Sequence, residues 1–479
     1  MIDRHSICKN LSVQSLRLTN NNVEKKRSSY EDIIHLIDKC KTYLSKVKGA
    51  YRGQKVILTN FYWPEYLGWF YACAELGLSF VISDYPRSEV ALKKLDIYGD
   101  IDWIIYDDHC PAGFRCYQDK IIDHQEIKNI TPDYSIGIEA EPEDIILYAT
   151  TSGTTGTPRV IEYTHQFFYD LMERNANLYQ LKKGDKCFHS KNLHHGSVLG
   201  VYFLPTMKYC QNHYHAPFRY ILIENQEKSV EEAEGKLFEA WVKMIQEEQI
   251  NKVLLFFNQI DVFKKYLDIN SRNHDDLTAF LLTKISQDDI DVLVKKFHYT
   301  IKSIFGSTET SGPLFLPEIN SQNCNCYDPR NMGEELDNFY KLNLDDKNIL
   351  NVTMPCGNVV STGDKFEISN NEWLFKGRDN LYRVNGHPIY IDILNEVISK
   401  ATGLKKEVEF DVIVDSDKNQ IYIRSDVELN LNNLNQTIFS ELGLGYYYIS
   451  KQITGIRSKF FSGIKFDPQS IRMICRNDC

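Results

Sequence analysis

The sequence has 479 residues, 43% of them hydrophobic and 25% charged, enough for a large buried core and, at roughly 150 residues per domain, for two or three structural units. Lysine and arginine number 55 against 65 aspartates and glutamates, a formal charge of -10, which argues against the cationic surface that nucleic-acid wrapping requires. No run of about 18 apolar residues is present, and Met1-Ile2-Asp3-Arg4-His5 lacks the apolar stretch of a secretory leader, so a cytoplasmic protein without a membrane span is expected.

In chain order, Tyr30 to Val47 predicts a helix with Ile33, Ile34, Ile37, Tyr43, Leu44 and Val47 along its packed side. Lys55 to Thr59 reads as a buried strand, Trp63 to Leu78 as a helix and Phe80 to Ser83 as a strand. That order implies a parallel sheet. Trp103 to Tyr106 and Ile145 to Tyr148 add two short apolar strands, and Val253 to Phe257 and Thr300 to Phe305 two more, with amphipathic stretches such as Asp288 to Phe297 between them. Past about residue 378 the elements shorten to an alternating Glu407 to Val414, a strand Gln420 to Ser425 and a helix Leu431 to Leu442, which sets a domain boundary near Asp379. The 12 cysteines lack the double-pair spacing of a zinc site, Cys324-Asn325-Cys326 being the closest couple, and read as reduced structural thiols.

The strand Ile145 to Tyr148 feeds the most informative segment, Thr150-Thr151-Ser152-Gly153-Thr154-Thr155-Gly156-Thr157-Pro158-Arg159. Glycines let backbone turn sharply and approach an anion, hydroxyls and exposed N–H groups donate to its oxygens, and a terminal cation offsets its charge. A Ser/Thr/Gly surface turn is the plainer alternative, but nine of these ten residues are Thr, Ser, Gly or Arg, which is dense for a turn. A Walker-type loop would end in Gly-Lys-Ser/Thr opening a helix, and that ending is missing. Further on, Glu309 follows a strand in Phe305-Gly306-Ser307-Thr308-Glu309 and is suited to a hard cation such as Mg²⁺. Asp364, in Ser361-Thr362-Gly363-Asp364, could accept both hydroxyls of a ribose. Arg378, in Gly377-Arg378-Asp379, could add a ribose or phosphate contact.

In their order these four motifs, with Arg383, Asn385 and Gly386, resemble those of the adenylate-forming superfamily: acyl- and aryl-CoA synthetases, peptide-synthetase adenylation domains and firefly-type luciferases. The resemblance spans most of the chain. It implies an α/β fold, with a large N-terminal domain of parallel-rich sheets layered with helices (residues 1–378) and a small, mobile α+β lid (residues 379–479) hinged at Asp379 or Asn380. It also implies that Thr151, Ser152, Gly153, Thr154, Thr155, Gly156, Arg159, Ser307, Asp364 and Arg378 hold ATP, and that Thr308 and Glu309 act in catalysis, Glu309 also on Mg²⁺. His195, in Leu193-His194-His195-Gly196-Ser197, would lie by the substrate carboxylate or at the pantetheine entrance. Lys465, with Lys459 in reserve, stands near the Ser-Gly-Lys turn that carries the lid lysine.

The implied activity joins a small-molecule carboxylic acid to the AMP part of ATP, releases pyrophosphate and passes the acyl group to a thiol. That thiol belongs to coenzyme A or to phosphopantetheine on a separate carrier protein. An adenylating enzyme with a non-thiol acceptor is one alternative. A scaffold that kept the fold and lost catalysis is another, because the sequence departs from the family pattern at Arg159 (usually Lys), at Thr283-Lys284 (usually a Gly pair) and at Lys465, one position late.

Overall fold

The computed structural model describes residues 1–19, 22–59, 63–81, 93–107, 110, 112–151, 159–190, 198–216, 230–267, 276–282, 285–378, 383–384, 387–388, 391–405, 409–415, 420–425, 427–442 and 448–453. The chain divides into two compact units, Met1–Leu381 and Tyr382–Cys479.

The first unit opens with a hairpin, β1 (Ser12–Thr19) and β2 (Asn22–Ser29), followed by helix α1 (Tyr30–Thr42), which Ser29 caps by accepting the Asp32 N–H. Next come β3 (Lys55–Thr59), helix α2 (Glu65–Glu75), β4 (Ser79–Val81), β5 (Trp103–Tyr106), β6 (Ile121–Asp123), β7 (Ile145–Thr151) and β8 (Arg159–Thr164). They build a six-stranded sheet ordered β6-β5-β3-β4-β7-β8, parallel except for β8 against β7. Val56, Ile57 and Leu58 of β3 are all buried, as befits a strand covered on both faces, and every residue of α2 is buried.

After helix α3 (His165–Leu178) come β9 (Lys186–His189), β10 (Asn212–His215), β11 (Lys252–Leu255), β12 (Thr278–Leu281) and β13 (Thr300–Ser303). The short pair β14 (Phe305–Gly306) and β15 (Pro313–Phe315) follows, then β16 (Glu318–Ile319). The second sheet is eight-stranded, ordered β16-β13-β12-β11-β9-β10-β1-β2, parallel from β13 to β1 and antiparallel at its edges. Strands β9, β11, β12 and β13 therefore end along one edge, the side on which open parallel sheets receive ligands. Four antiparallel strands, β17 (Lys341–Leu344), β18 (Ile349–Thr353), β19 (Val359–Ser369) and β20 (Glu372–Arg378), close the unit.

In the second unit, β21 (Arg383–Val384) pairs with β22 (His387–Pro388), and β23 (Phe410–Asp415), β24 (Gln420–Ser425) and β25 (Ile449–Ile453) form a sheet accompanied by helices Ile391–Thr402 and Leu431–Leu442. Asn435 donates to the Ile449 carbonyl at 2.9 Å and accepts its N–H at 2.7 Å, tying helix to sheet. Among the described residues no helix is long and apolar enough to cross a membrane, and the nine cysteines whose side chains are described are free.

The strands and helices named from the sequence stand where expected, within a few residues, with one correction, and others were not named there. Val47 is 57% exposed, because the wider π-helical turn Tyr43–Val47 rotates it off the face that buries Ile33, Ile37, Tyr43 and Leu44. The hairpin β1–β2 was not foreseen: β2 is almost wholly polar, β1 lacks a regular apolar alternation, and β2 keeps Glu24, Lys25, Lys26 and Arg27 exposed at a sheet edge, where charge discourages further pairing.

The N-terminus is bound into the core by charge. Glu75, at the end of α2, is fully buried; Arg4 Nε donates to its Oε1 and Arg4 Nη2 to its Oε2, each at 2.7 Å, and Lys41 Nζ reaches Oε2 at 2.7 Å. Arg4 Nη2 also meets Asp38 Oδ1 at 2.7 Å. Burial alone would push the Glu75 carboxyl up, but the hydrogen bonds from Arg4 and Lys41 outweigh it and hold the carboxyl below its ordinary value. Nearby, the Ile2 N–H donates to His165 Nδ1 at 3.3 Å, on a ring that burial keeps neutral by pushing its pKa down to about 4. Arg4→Ala leaves a buried carboxylate with one cation fewer and is expected to cost about 3–5 kcal/mol in urea unfolding at neutral pH; a loss under about 1 kcal/mol contradicts this. Because the folded carboxyl titrates below its unfolded value, the stabilisation holds above the usual glutamate range and is lost as pH falls through the lowered value, so wild-type and variant stabilities converge in acid.

Candidate active site

The Thr/Gly segment joins β7 to β8, with Thr151 and Arg159 as the last paired positions before the loop. The loop is thus framed by antiparallel strands, whereas a Walker-type loop passes from strand to helix. Ser152, Gly153, Thr154, Thr155 and Gly156 lie outside the described residues, as do His195, Thr283, Lys284, Asp379, Asn380, Asn385, Gly386, Lys459 and Lys465. For Thr151, Arg159, Arg378 and Arg383 only the backbone positions are described.

The turn that carries Glu309 is fixed by close backbone approach. A Cβ on Gly306 would sit 2.4 Å from the Gly312 carbonyl oxygen, so only glycine fits there, and one on Gly312 would sit 2.6 Å from Leu171 Cδ1 of α3. Within the turn, Thr310 Oγ1 accepts the Ser307 N–H at 3.2 Å and donates to the Gly312 carbonyl at 2.9 Å. Ser311 adopts a left-handed φ of 49°, and its N–H reaches the Ser307 carbonyl at 3.1 Å and the Thr308 carbonyl at 3.2 Å.

The two carbonyls that flank Glu309 are each held by a buried tyrosine. The Tyr163 hydroxyl, from β8, donates to the Thr308 carbonyl, and the Tyr340 hydroxyl donates to the Thr310 carbonyl at 2.7 Å. Burial raises both phenols well above their ordinary pKa, and for Tyr163 the Glu309 carboxylate adds to the effect, so both remain protonated donors. Arg174 of α3 braces this side. Its guanidinium lies 4.9 Å from the Tyr340 ring centre and 5.2 Å from that of Phe339, pairs with Asp337 at 2.6 Å and donates to the Pro313 carbonyl at 2.9 Å.

Asp364 and Arg378 occupy facing positions on β19 and β20. Asp364 is 5% exposed, and its N–H donates to Thr362 Oγ1 at 3.1 Å, which in turn donates to the Leu350 carbonyl at 3.0 Å. The ring of Phe305 packs on Phe366 at 5.5 Å and Phe375 at 5.4 Å, which joins the β14 end of the Glu309 turn to this strand pair. Three of the four motif regions are therefore linked through described atoms: the strand leaving the Thr/Gly loop through Tyr163, and the Asp364 strand through Phe305. Tyr163, Tyr340 and Arg174 were invisible to motif reading, since each acts on a carbonyl distant in sequence; the apolar alternation of Ile161 and Tyr163 in β8 marks the latter only as an inward residue.

The described donors are of the kind a hard cation takes. Glu309 is largely buried, and among the described residues its carboxylate has no ion-pair partner. The Ser307 hydroxyl, also withdrawn from solvent, has no hydrogen-bond partner among them. By contrast, the one described acidic trio able to converge on an ion, Asp261, Asp288 and Asp289, already surrounds Lys264 Nζ at 2.9, 2.6 and 2.6 Å.

A sequence profile described as AMP-binding enzyme matches residues 15–333. No curated protein matches the sequence. Among solved structures, a double mutant of o-succinylbenzoate coenzyme A synthetase from Bacillus subtilis, bound with its product analogue, is 14% identical, covers 98% of this chain and 97% of its own, and superposes with a TM-score of 0.75. The amide bond synthetase of Marinactinospora thermotolerans is 12% identical over 98% of each chain, with a TM-score of 0.74. An artificially fused adenylation–carrier didomain from Klebsiella oxytoca is 13% identical over 95% of this chain and 91% of its own, with a TM-score of 0.71. At such identities the likeness is one of fold. With well over half its length matched by the profile, the chain belongs to the AMP-binding enzyme family, within the adenylate-forming superfamily.

Proposed function

We propose that the protein is a cytoplasmic acid–thiol ligase that activates a carboxylic acid with ATP and hands the acyl group to coenzyme A or to carrier-bound phosphopantetheine. The observation that carries this reading is the Glu309 turn, whose flanking carbonyls are clamped while its carboxylate has no described cation, joined through Tyr163 to the strand that leaves a Thr/Gly loop. A buried carboxylate without a partner is costly and is normally paired or metal-bound.

In this reading Thr151, Ser152, Gly153, Thr154, Thr155, Gly156 and Arg159 hold the polyphosphate by hydroxyls, backbone N–H groups and one guanidinium. Asp364 accepts the ribose hydroxyls, Arg378 adds a ribose or phosphate contact, Ser307 lines the nucleotide beside them, and Thr308 acts with Glu309 in catalysis. Glu309 would hold Mg²⁺, which when bound offsets charge on the polyphosphate. His195 orients the acid. The carboxylate oxygen of the acid attacks the α-phosphorus and pyrophosphate leaves; the thiol then attacks the acyl carbon and AMP leaves. Residues 379–479 act as the lid, and Lys465, with Lys459 as the other candidate, brings an ammonium to the charge that develops between carboxylate and α-phosphate.

Exchange of labelled pyrophosphate into ATP, run across fatty, aryl, amino and hydroxy acids, is expected to rise with at least one acid class; no exchange with any of them favours the scaffold reading. With the acid identified, trapping the product with coenzyme A, a holo-carrier protein or an amine decides the acceptor. Lys465→Ala is expected to slow adenylation by about 3–4 kcal/mol, some hundredfold or more, and exchange retained within about tenfold removes Lys465 from the mechanism. Glu309→Gln should raise the Mg²⁺ requirement while leaving the unfolding temperature near wild type, and an equal loss of stability and turnover makes Glu309 structural.

A further inference from the structure

Tyr163 lies near the end of β8, the strand that leaves the Thr/Gly loop, and is only 2% exposed. Its ring stacks on Phe167 at 5.4 Å and lies 5.3 Å from Phe168, both on α3, so the side chain is fixed before its hydroxyl makes any bond. That hydroxyl donates to the Thr308 carbonyl, the same oxygen that receives the Ser311 N–H. One residue on is Glu309, and one further is the Thr310 carbonyl held by Tyr340. A chain segment pinned at both neighbouring carbonyls has little freedom to swing its middle side chain. Of the two pins, Tyr340 belongs to the segment that runs into β17, whereas Tyr163 belongs to the strand that also sets the exit of the loop.

We propose that Tyr163 is a positioning residue: its hydroxyl ties the Glu309 carboxylate to the exit of the Thr/Gly loop, so that a polyphosphate and the divalent cation it carries are received as one unit. This rests on the nucleotide reading given above. It goes beyond it in assigning to a residue outside every motif the coupling between two of them. Because phenylalanine keeps the ring and its stacking, Tyr163→Phe removes only the bond.

The test compares calorimetric binding of ATP with and without Mg²⁺ for wild type, Tyr163→Phe, Glu309→Gln and the double variant, alongside amide hydrogen exchange at Ser311 in the ligand-free protein. The Kd for Mg-ATP is expected to rise roughly tenfold in Tyr163→Phe, in line with one buried hydrogen bond, while that for metal-free ATP stays within about twofold. In the Glu309→Gln background the second substitution should add little, as expected of residues that act through one another. Ser311 should exchange faster once the Thr308 carbonyl loses its donor. Unchanged Mg-ATP affinity in Tyr163→Phe, or losses that simply multiply in the double variant, overturns the proposal. Should the wild-type chain bind no Mg-ATP, the nucleotide reading falls instead, and unchanged Ser311 exchange would then overturn the clamp itself.

Discussion

The site depends on a single close approach: the backbone at Gly306 passes so near the Gly312 carbonyl that no side chain fits between them. This closes the turn that begins at the end of β14. Once it is closed, the Thr310 hydroxyl bridges its two arms and Glu309 projects from the middle. The turn joins the paired strands β14 and β15 and carries hydrogen bonds of its own, and tertiary contacts hold it from outside. Leu171 and Arg174 of α3, Tyr163 of β8 and Tyr340 beside β17 supply them.

Charge separates several carboxylates of this unit from Glu309. Glu75 is satisfied by Arg4 and Lys41, Asp337 by Arg174, and Asp289 by Lys264. Each pair compensates the cost of taking a charge out of water. Glu309 is largely buried and has no such cation among the described residues. In the proposed reading that carboxylate takes its cation from outside. The polyphosphate reading and the cation reading thus support each other.

Much of the fold could be read from the sequence because buried parallel strands are short apolar runs: Val56-Ile57-Leu58, Trp103-Ile104-Ile105 and Ile145-Ile146-Leu147 identify themselves. The hairpin β1–β2 could not, since β2 is almost wholly polar, β1 lacks a regular apolar alternation, and its strands exist by pairing with β10 and with each other. Of the candidate site, residue type made legible the Thr/Gly loop and the carboxylates Glu309 and Asp364. The clamp was not. A tyrosine that donates to a backbone carbonyl 145 residues away leaves no local pattern, because a carbonyl has no sequence identity.

The most direct test is a crystal structure of the protein with Mg²⁺ and α,β-methylene ATP. The polyphosphate should lie along residues 152–158, with Asp364 accepting the ribose hydroxyls at about 2.7 Å and Glu309 reaching the cation at about 2.1 Å or through one water. A nucleotide bound away from that loop, or a Glu309 carboxylate turned from the cation, would contradict the account.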